Sequence, residues 1–136
     1  MNDISSSDQA LREIKIEEFR ARYPQLFSDL GVDEIYCDPG WRGLLLALCD
    51  TLQAHLTRHP DVAPVTIGQI KSKFGELHFF YDGGDSYCRG AVDLAERLSL
   101  KTCERCGAPG SLVGGQWVST LCSIHDGGST ESSRRI

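Results

Sequence analysis

Apolar residues recur at spacings of three and four through Trp41, Leu45, Leu48, Leu52 and Leu56, the period of one helical face. Leu44 and Cys49 widen that stripe, while Arg42, Asp50, Gln53 and Thr57 fall mostly opposite. Asp38-Pro39-Gly40 predicts a turn before this helix, and Pro60 stops it close after Arg58. An earlier stripe of Leu11, Ile14, Phe19 and Tyr23 predicts a helix to about Arg22, opened by a capping box at Ser6 and Gln9. Ile16 falls off that stripe. Pro24 breaks the helix, and a further short turn through Leu26 and Phe27 is expected to end at Gly31.

Between residues 65 and 82 the period changes to two, the signature of strands. Val65 and Ile67 open the first strand, and Phe74-Gly75 marks the hairpin turn. Leu77, Phe79 and Tyr81 alternate with His78, Phe80 and Asp82 in the second. The alternation slips at Gly68, which predicts a β-bulge. Asp82-Gly83-Gly84-Asp85 reads as a turn, after which Asp85 or Ser86 caps a helix to about Ser99. Cys88, Val92, Ala95 and Leu98 are its expected inward residues. Beyond Cys103 a second hairpin is expected, from Leu112-Val113 through Gly114-Gly115 to a strand from Gln116 to Leu121. Residues 126–136 are polar and are expected to be disordered.

The sharpest chemical signal lies in that last third. Cys103-Glu-Arg-Cys106-Gly places two sulfurs two residues apart, and the glycine permits a tight turn with amides aimed at sulfur. Fifteen residues later Cys122-Ser-Ile-His125 repeats the spacing, and the intervening hairpin brings the pairs together. Two such pairs predict one closed tetrahedral Zn²⁺ site on Cys103, Cys106, Cys122 and His125. Four protein ligands leave no open position for water, so the ion is expected to be structural. The deaminase His-x-Glu and the metalloprotease His-Glu-x-x-His are both missing from the sequence.

Composition narrows the function classes. The chain of 136 residues is 40% apolar, enough for one domain with a small appended module. Its net charge is -5, and residues 1–34 alone hold eight acids against four bases. Such a balance lacks the basic face of a typical nucleic-acid binder and suits a basic protein partner. Asp29, Asp33 and Glu34 are the candidate partner-binding residues. No run approaches the roughly 20 apolar residues of a membrane span. With no secretory signal at the start, the six cysteines read as reduced thiols in the cytoplasm.

Other residues have simpler readings beside the functional ones. His55 and His59, four apart, could share a metal, or could be exposed side chains at a helix end. His78 beside Glu76 could be a general base, or part of a polar strand face. Cys49 and Cys88 read as small hydrophobes, and Cys37 lies in a loop without a close basic neighbour. Lys71 and Lys73 with Phe74, Phe79 and Tyr81 could form a small surface for single-stranded nucleic acid. Trp117 reads as a packing residue of the metal hairpin.

The segment Ile70-Lys-Ser-Lys-Phe-Gly-Glu-Leu-His-Phe-Phe-Tyr81, with Ala95-Glu-Arg-Leu-Ser99, Cys103-Glu-Arg-Cys-Gly-Ala-Pro-Gly110 and Trp117-Val-Ser-Thr-Leu-Cys-Ser-Ile-His125, resembles a group of small, largely uncharacterised bacterial and phage zinc-binding proteins. Gly40-Trp41 and Leu48-Cys49 fit the same pattern. The resemblance covers residues 40–125 and implies a zinc-bearing α+β fold in the cytoplasm. By analogy of size and context it points to inhibitors, or to immunity proteins against toxins.

The resulting expectation is an α+β chain: residues 1–35 helical, 36–100 an α+β body, 101–125 a zinc ribbon-like module and 126–136 a tail. Almost no linker separates Ser99 from Lys101, so the module should dock on the body. The expected function is non-catalytic protein binding, in its most concrete form inhibition of a toxin or enzyme. A zinc-ribbon nucleic-acid binder and an enzyme of unknown class are the alternatives.

Overall fold

The computed structural model describes residues 14–28, 32 and 34–126. The fold is α+β, with three α-helices, a three-stranded sheet and a two-stranded hairpin among the described residues. Helix α1 (Ile16–Arg22) has Glu17 and Glu18 in its first turn and Arg20 and Arg22 in its last, matching charge to the helix dipole. Both Ile14 and Ile16 are buried, unlike the stripe the sequence suggested. Lys15 is extended, at φ -95° and ψ 124°, so its two neighbours point the same way with period two instead of 3.6. The expected Ser6–Gln9 capping box and Leu11 lie outside the described residues, as does Gly31.

Phe19, Tyr23 and Phe27 pack as a ring cluster, with Phe19 centroids 6.0 and 5.7 Å from the other two. Tyr23 donates its hydroxyl proton to Asp50 Oδ1 at 2.5 Å, and Arg42 pairs with Glu18. These contacts tie α1 to helix α2 (Arg42–Arg58), which buries Leu45, Leu48, Cys49 and Leu52 as its period requires. The Asp38-Pro39-Gly40 turn forms a 3₁₀ helix (Pro39–Trp41) leading into α2. Just before it lies strand β1 (Ile35–Tyr36), two residues long and too short to show a period.

Strands β2 (Thr66–Lys73) and β3 (Glu76–Asp82) form the expected antiparallel hairpin, and β1 pairs in parallel with β2. The register shifts between Ile67 and Gln69, placing the bulge at Gly68. Phe74 and Gly75 both turn through positive φ, 55° and 76°, as a two-residue hairpin loop of type I′ requires. Ile67, Ile70, Leu77 and Phe79 face the core.

Helix α3 (Ser86–Ser99) starts where Asp85 accepts the Cys88 amide at 3.2 Å, a side-chain N-cap. Cys88, Val92 and Ala95 are buried, but Leu98 is 43% exposed and Ser99 holds the inward position. Steps of four, three and four from Cys88 end on Ser99, where a hydroxyl is useful: it accepts the Leu77 amide at 2.9 Å and donates to the Glu96 carbonyl. Strands β4 (Ser111–Val113) and β5 (Ser119–Leu121) form the final hairpin. Val113 pairs with Ser119, so Gln116 and Trp117 belong to the loop and not to the strand expected there.

Candidate metal centre

The Cys103–Cys106 loop is built by backbone hydrogen bonds from the Gly107 amide to the Cys103 carbonyl and from the Cys103 amide to the Ala108 carbonyl. Gly107 has φ 84°, a conformation that only glycine adopts without strain. A second loop closes where the His125 amide meets the Cys122 carbonyl. The β4–β5 hairpin joins the loops, and the four donor atoms of Cys103, Cys106, Cys122 and His125 lie within 4.8 Å of one another. This group can hold a metal ion. Cys106 and Cys122 sulfurs are 3.7 Å apart, and His125 Nδ1 is 3.6 Å from Cys103 and 3.2 Å from Cys122.

The loops also tune the thiols. Burial alone would push Cys103 up, but the amides of Cys106, Cys122 and Arg105 outweigh it and lower its pKa. Burial likewise opposes, and the amides of His125 and Ile124 reverse, the shift at Cys122, which is lowered. At Cys106 the Ala108 amide lowers, while burial and the neighbouring Cys122 and Cys103 sulfurs raise, and the net shift is upward. Amide-rich loops of this kind favour thiolates, the ligand form of cysteine.

The module is fastened to the body at several points. Trp41, fully buried, donates Nε1–H to the Thr102 carbonyl at 2.8 Å. The Gly40 amide donates to the Glu104 carbonyl at 2.6 Å. A Cβ on Gly40 would lie 2.2 Å from the Cys103 carbonyl oxygen, so no side chain fits at this approach. Glu104 bridges Ser72 of β2 and Thr120 of β5, and Thr120 donates to the Gly75 carbonyl.

Elsewhere the structure redistributes the sequence candidates. Trp117 is 84% exposed in its loop and is not a buried packing residue of the hairpin; Trp41 is the buried tryptophan, bonded to Thr102 just ahead of Cys103. His55 is not an exposed helix-end residue. Its side chain is only 11% exposed, bonds Asp85 Oδ2 at 2.9 Å and stacks on Tyr87 at 4.0 Å. His55, Asp85 and Cys88 form a second group of possible metal donors that sequence reasoning missed, because they lie thirty residues apart on two helices. There His55 and Asp85 already satisfy each other directly, and burial raises the Cys88 thiol.

At Cys37 burial first, then the Glu104 and Asp38 charges, push the thiol up to about 12, which disfavours the reactive thiolate. Cys49 is raised by burial as well. His78 and Glu76 are 3.9 Å apart on the open side of the sheet. Phe79 and Tyr81 turn inward, so Phe80 takes their expected place beside Lys71, whose Nζ lies 5.8 Å from the ring centre. Asp29 and Asp33 lie outside the described residues, and Glu34 is exposed.

No helix among the described residues is long and apolar enough to cross a membrane. Comparison with family models, curated proteins and solved structures finds no match.

Proposed function

We propose that the chain is a non-catalytic protein-binding module in which one structural zinc ion, on Cys103, Cys106, Cys122 and His125, fixes the C-terminal segment to the body. Zinc bonds of about 2.3 Å to sulfur and about 2.0 Å to imidazole give tetrahedral edges of about 3.8 Å between sulfurs and about 3.5 Å from sulfur to nitrogen. The separations of 3.7, 3.6 and 3.2 Å support that reading. Three thiolates and one imidazole suit Zn²⁺ over hard cations. Such a set survives where thiols stay reduced, which favours a cytoplasmic protein.

The observation that carries protein binding is an apolar groove of about 440 Å³ between α2 and α3. Leu48 and Ala95 are its buried lining residues, the small Ala47, Thr51, Gly90 and Ala91 leave it open, and Leu44, Tyr87, Leu94 and Leu98 line it as well. Leu94 and Leu98 are 60% and 43% exposed, on a helix whose other face is core. An apolar groove lined by small residues, leucines and a tyrosine admits an amphipathic helix of a partner, an established recognition mode. Inhibition of a bacterial toxin or enzyme is the most concrete form of this role. Glu34 and the neighbouring Asp29 and Asp33 would add attraction for a basic partner.

The test is affinity capture from native lysate by the zinc-loaded chain, beside a Leu94→Asp/Leu98→Asp variant and a chain lacking residues 1–13. One protein retained at near equal stoichiometry, and lost with the leucine variant, supports the reading. Retention indifferent to both leucines removes the groove. A groove variant that matters only when residues 1–13 are missing would assign the groove to those residues.

A further inference from the structure

The sheet has one face against the helices and one open face, and the open face is chemically distinct from the groove. Ile70, Leu77 and Phe79 fill the inner side. Across the outer side the register aligns Tyr36 with Lys71, and Lys71 with His78. The next rung pairs Gln69 with Phe80. His78 and Phe80 therefore sit two apart on one strand. Their ring centres are 6.1 Å apart and their planes differ by only 21°. Tyr36 is 53% and Phe80 48% exposed. Three rings thus share this face, His78 and Phe80 about 7 Å apart along β3, and Tyr36 two strand spacings away on β1, about 9.6 Å, with Lys71 of β2 between them.

Cations accompany the rings. Lys71 lies against Phe80, and Lys73 lies 5.6 Å from the Phe74 ring centre at the hairpin end. Glu76 stands opposite Lys73 and Asp82 ends the same side of β3, so Lys71, opposite His78, is the lysine with no carboxylate across from it in the register, within a chain of net charge -5. Screening confines distant charges to about 10 Å at 0.1 M salt, so the local sign governs contact. Exposed rings with flanking ammonium groups are what a base-stacking, phosphate-contacting surface requires. A basic peptide would be repelled by Lys71 and Lys73, and an aliphatic partner would leave them unpaired.

We infer that the open face of the β1–β2–β3 sheet binds single-stranded nucleic acid, stacking bases on Tyr36, His78 and Phe80 while Lys71 and Lys73 meet the phosphates. This goes beyond the protein-binding reading and uses a different face. Duplexes are excluded as good ligands, because their bases are already stacked. The contact with two phosphates gives a shallow salt dependence, a slope near -1.4 in log K against log salt, from about 0.7 per phosphate for single strands.

The probe is fluorescein-labelled dT₁₅, followed by anisotropy at 20 mM salt with the zinc-loaded full chain. The expected result is saturable binding in which Phe80→Ala weakens affinity by about fivefold to a hundredfold. Lys71→Glu weakens it and flattens the salt slope. Lys101→Glu, an exposed charge beyond α3, leaves affinity within twofold. Thermal melts of each variant establish that it is folded, and Phe80 and Lys71 are not in the core. Three results would overturn the inference: no binding at 200 µM chain, equal weakening by Lys101→Glu and Lys71→Glu, or a Phe80→Ala chain with native affinity. Loss of a captured protein by Phe80→Ala, without oligonucleotide binding, would reassign the face to a protein.

Discussion

The carboxylate of Glu104 accepts the backbone amide of Thr120 at 2.8 Å, and its other oxygen accepts the Ser72 hydroxyl at 3.2 Å. One side chain, sitting directly after Cys103, thereby joins the Cys103–Cys106 loop to β5 and to the body sheet. Glu104 is buried, and removing it leaves a buried amide without its acceptor. Glu104→Ala is expected to lower unfolding free energy by about 2–3 kcal/mol. Glu104→Gln keeps one acceptor oxygen and should cost less than half of that. Urea unfolding of the zinc-loaded variants measures both, and equal losses for Ala and Gln would mean that the bridge carries no stability.

Metal removal should separate the module from the body. The segment from Thr102 to His125 has few buried apolar residues of its own, Cys103 and Cys122 being metal donors. Its order is therefore expected to depend on an ion held by those donors, as in small metal modules. Chelation is expected to erase hydrogen-exchange protection across residues 102–125 while α2, β2 and β3 stay protected. One equivalent of zinc should be released per chain, and Cys106→Ser should bind none tightly. Protection of residues 102–125 that survives chelation would make the metal dispensable.

The four metal donors were legible in the sequence because both ligand pairs are local: each spacing is set by one tight turn. The α2 stripe and the Gly68 bulge were legible for the same reason, since period alone carries them. Leu98 was misplaced because Ser99 is polar, and its inward position is stabilised by the Leu77 amide, a contact with a different element. Ile16 was misplaced because an extended Lys15 resets the period. The His55–Asp85 pair and the Trp41–Thr102 bond join residues 30 and 61 apart in sequence. No spacing rule reaches such distances; they follow only from how α2 packs on α3 and on the metal loop.

Thiol chemistry should divide the six cysteines into two sets of three. Cys37, Cys49 and Cys88 are all raised by burial, Cys37 to about 12. Thiolate is the reactive form, so these three should stay silent toward a disulfide reagent at pH 8 until denaturant is added. Cys103, Cys106 and Cys122 should react only after chelation, with the exposed Cys106 first. Peptide mapping of the labelled protein identifies the order. A fast-reacting Cys37 in the metal-loaded chain would reopen the question of a nucleophile.

Asp85 links the C-terminal end of α2 to the start of α3, and its charge should be visible in acid. The hydrogen bond from His55 is the largest influence on it, supported by the Cys88 amide, and its carboxyl is lowered from 3.8 to about 2. A depressed folded pKa means that the charged form is favoured in the native state. Its stabilising contribution is therefore complete above the unfolded value of 3.8 and is lost as pH falls from there toward about 2. Asp85→Asn retains an oxygen to cap the Cys88 amide but loses the charge facing His55. The native chain should melt higher than Asp85→Asn above pH 4, and the gap should close as pH approaches 2. Protonation of the metal ligands lowers both melting temperatures alike, so it is the difference that reports the pair. A gap that stays constant down to pH 2 would show that the charge of Asp85 contributes nothing through the His55 contact.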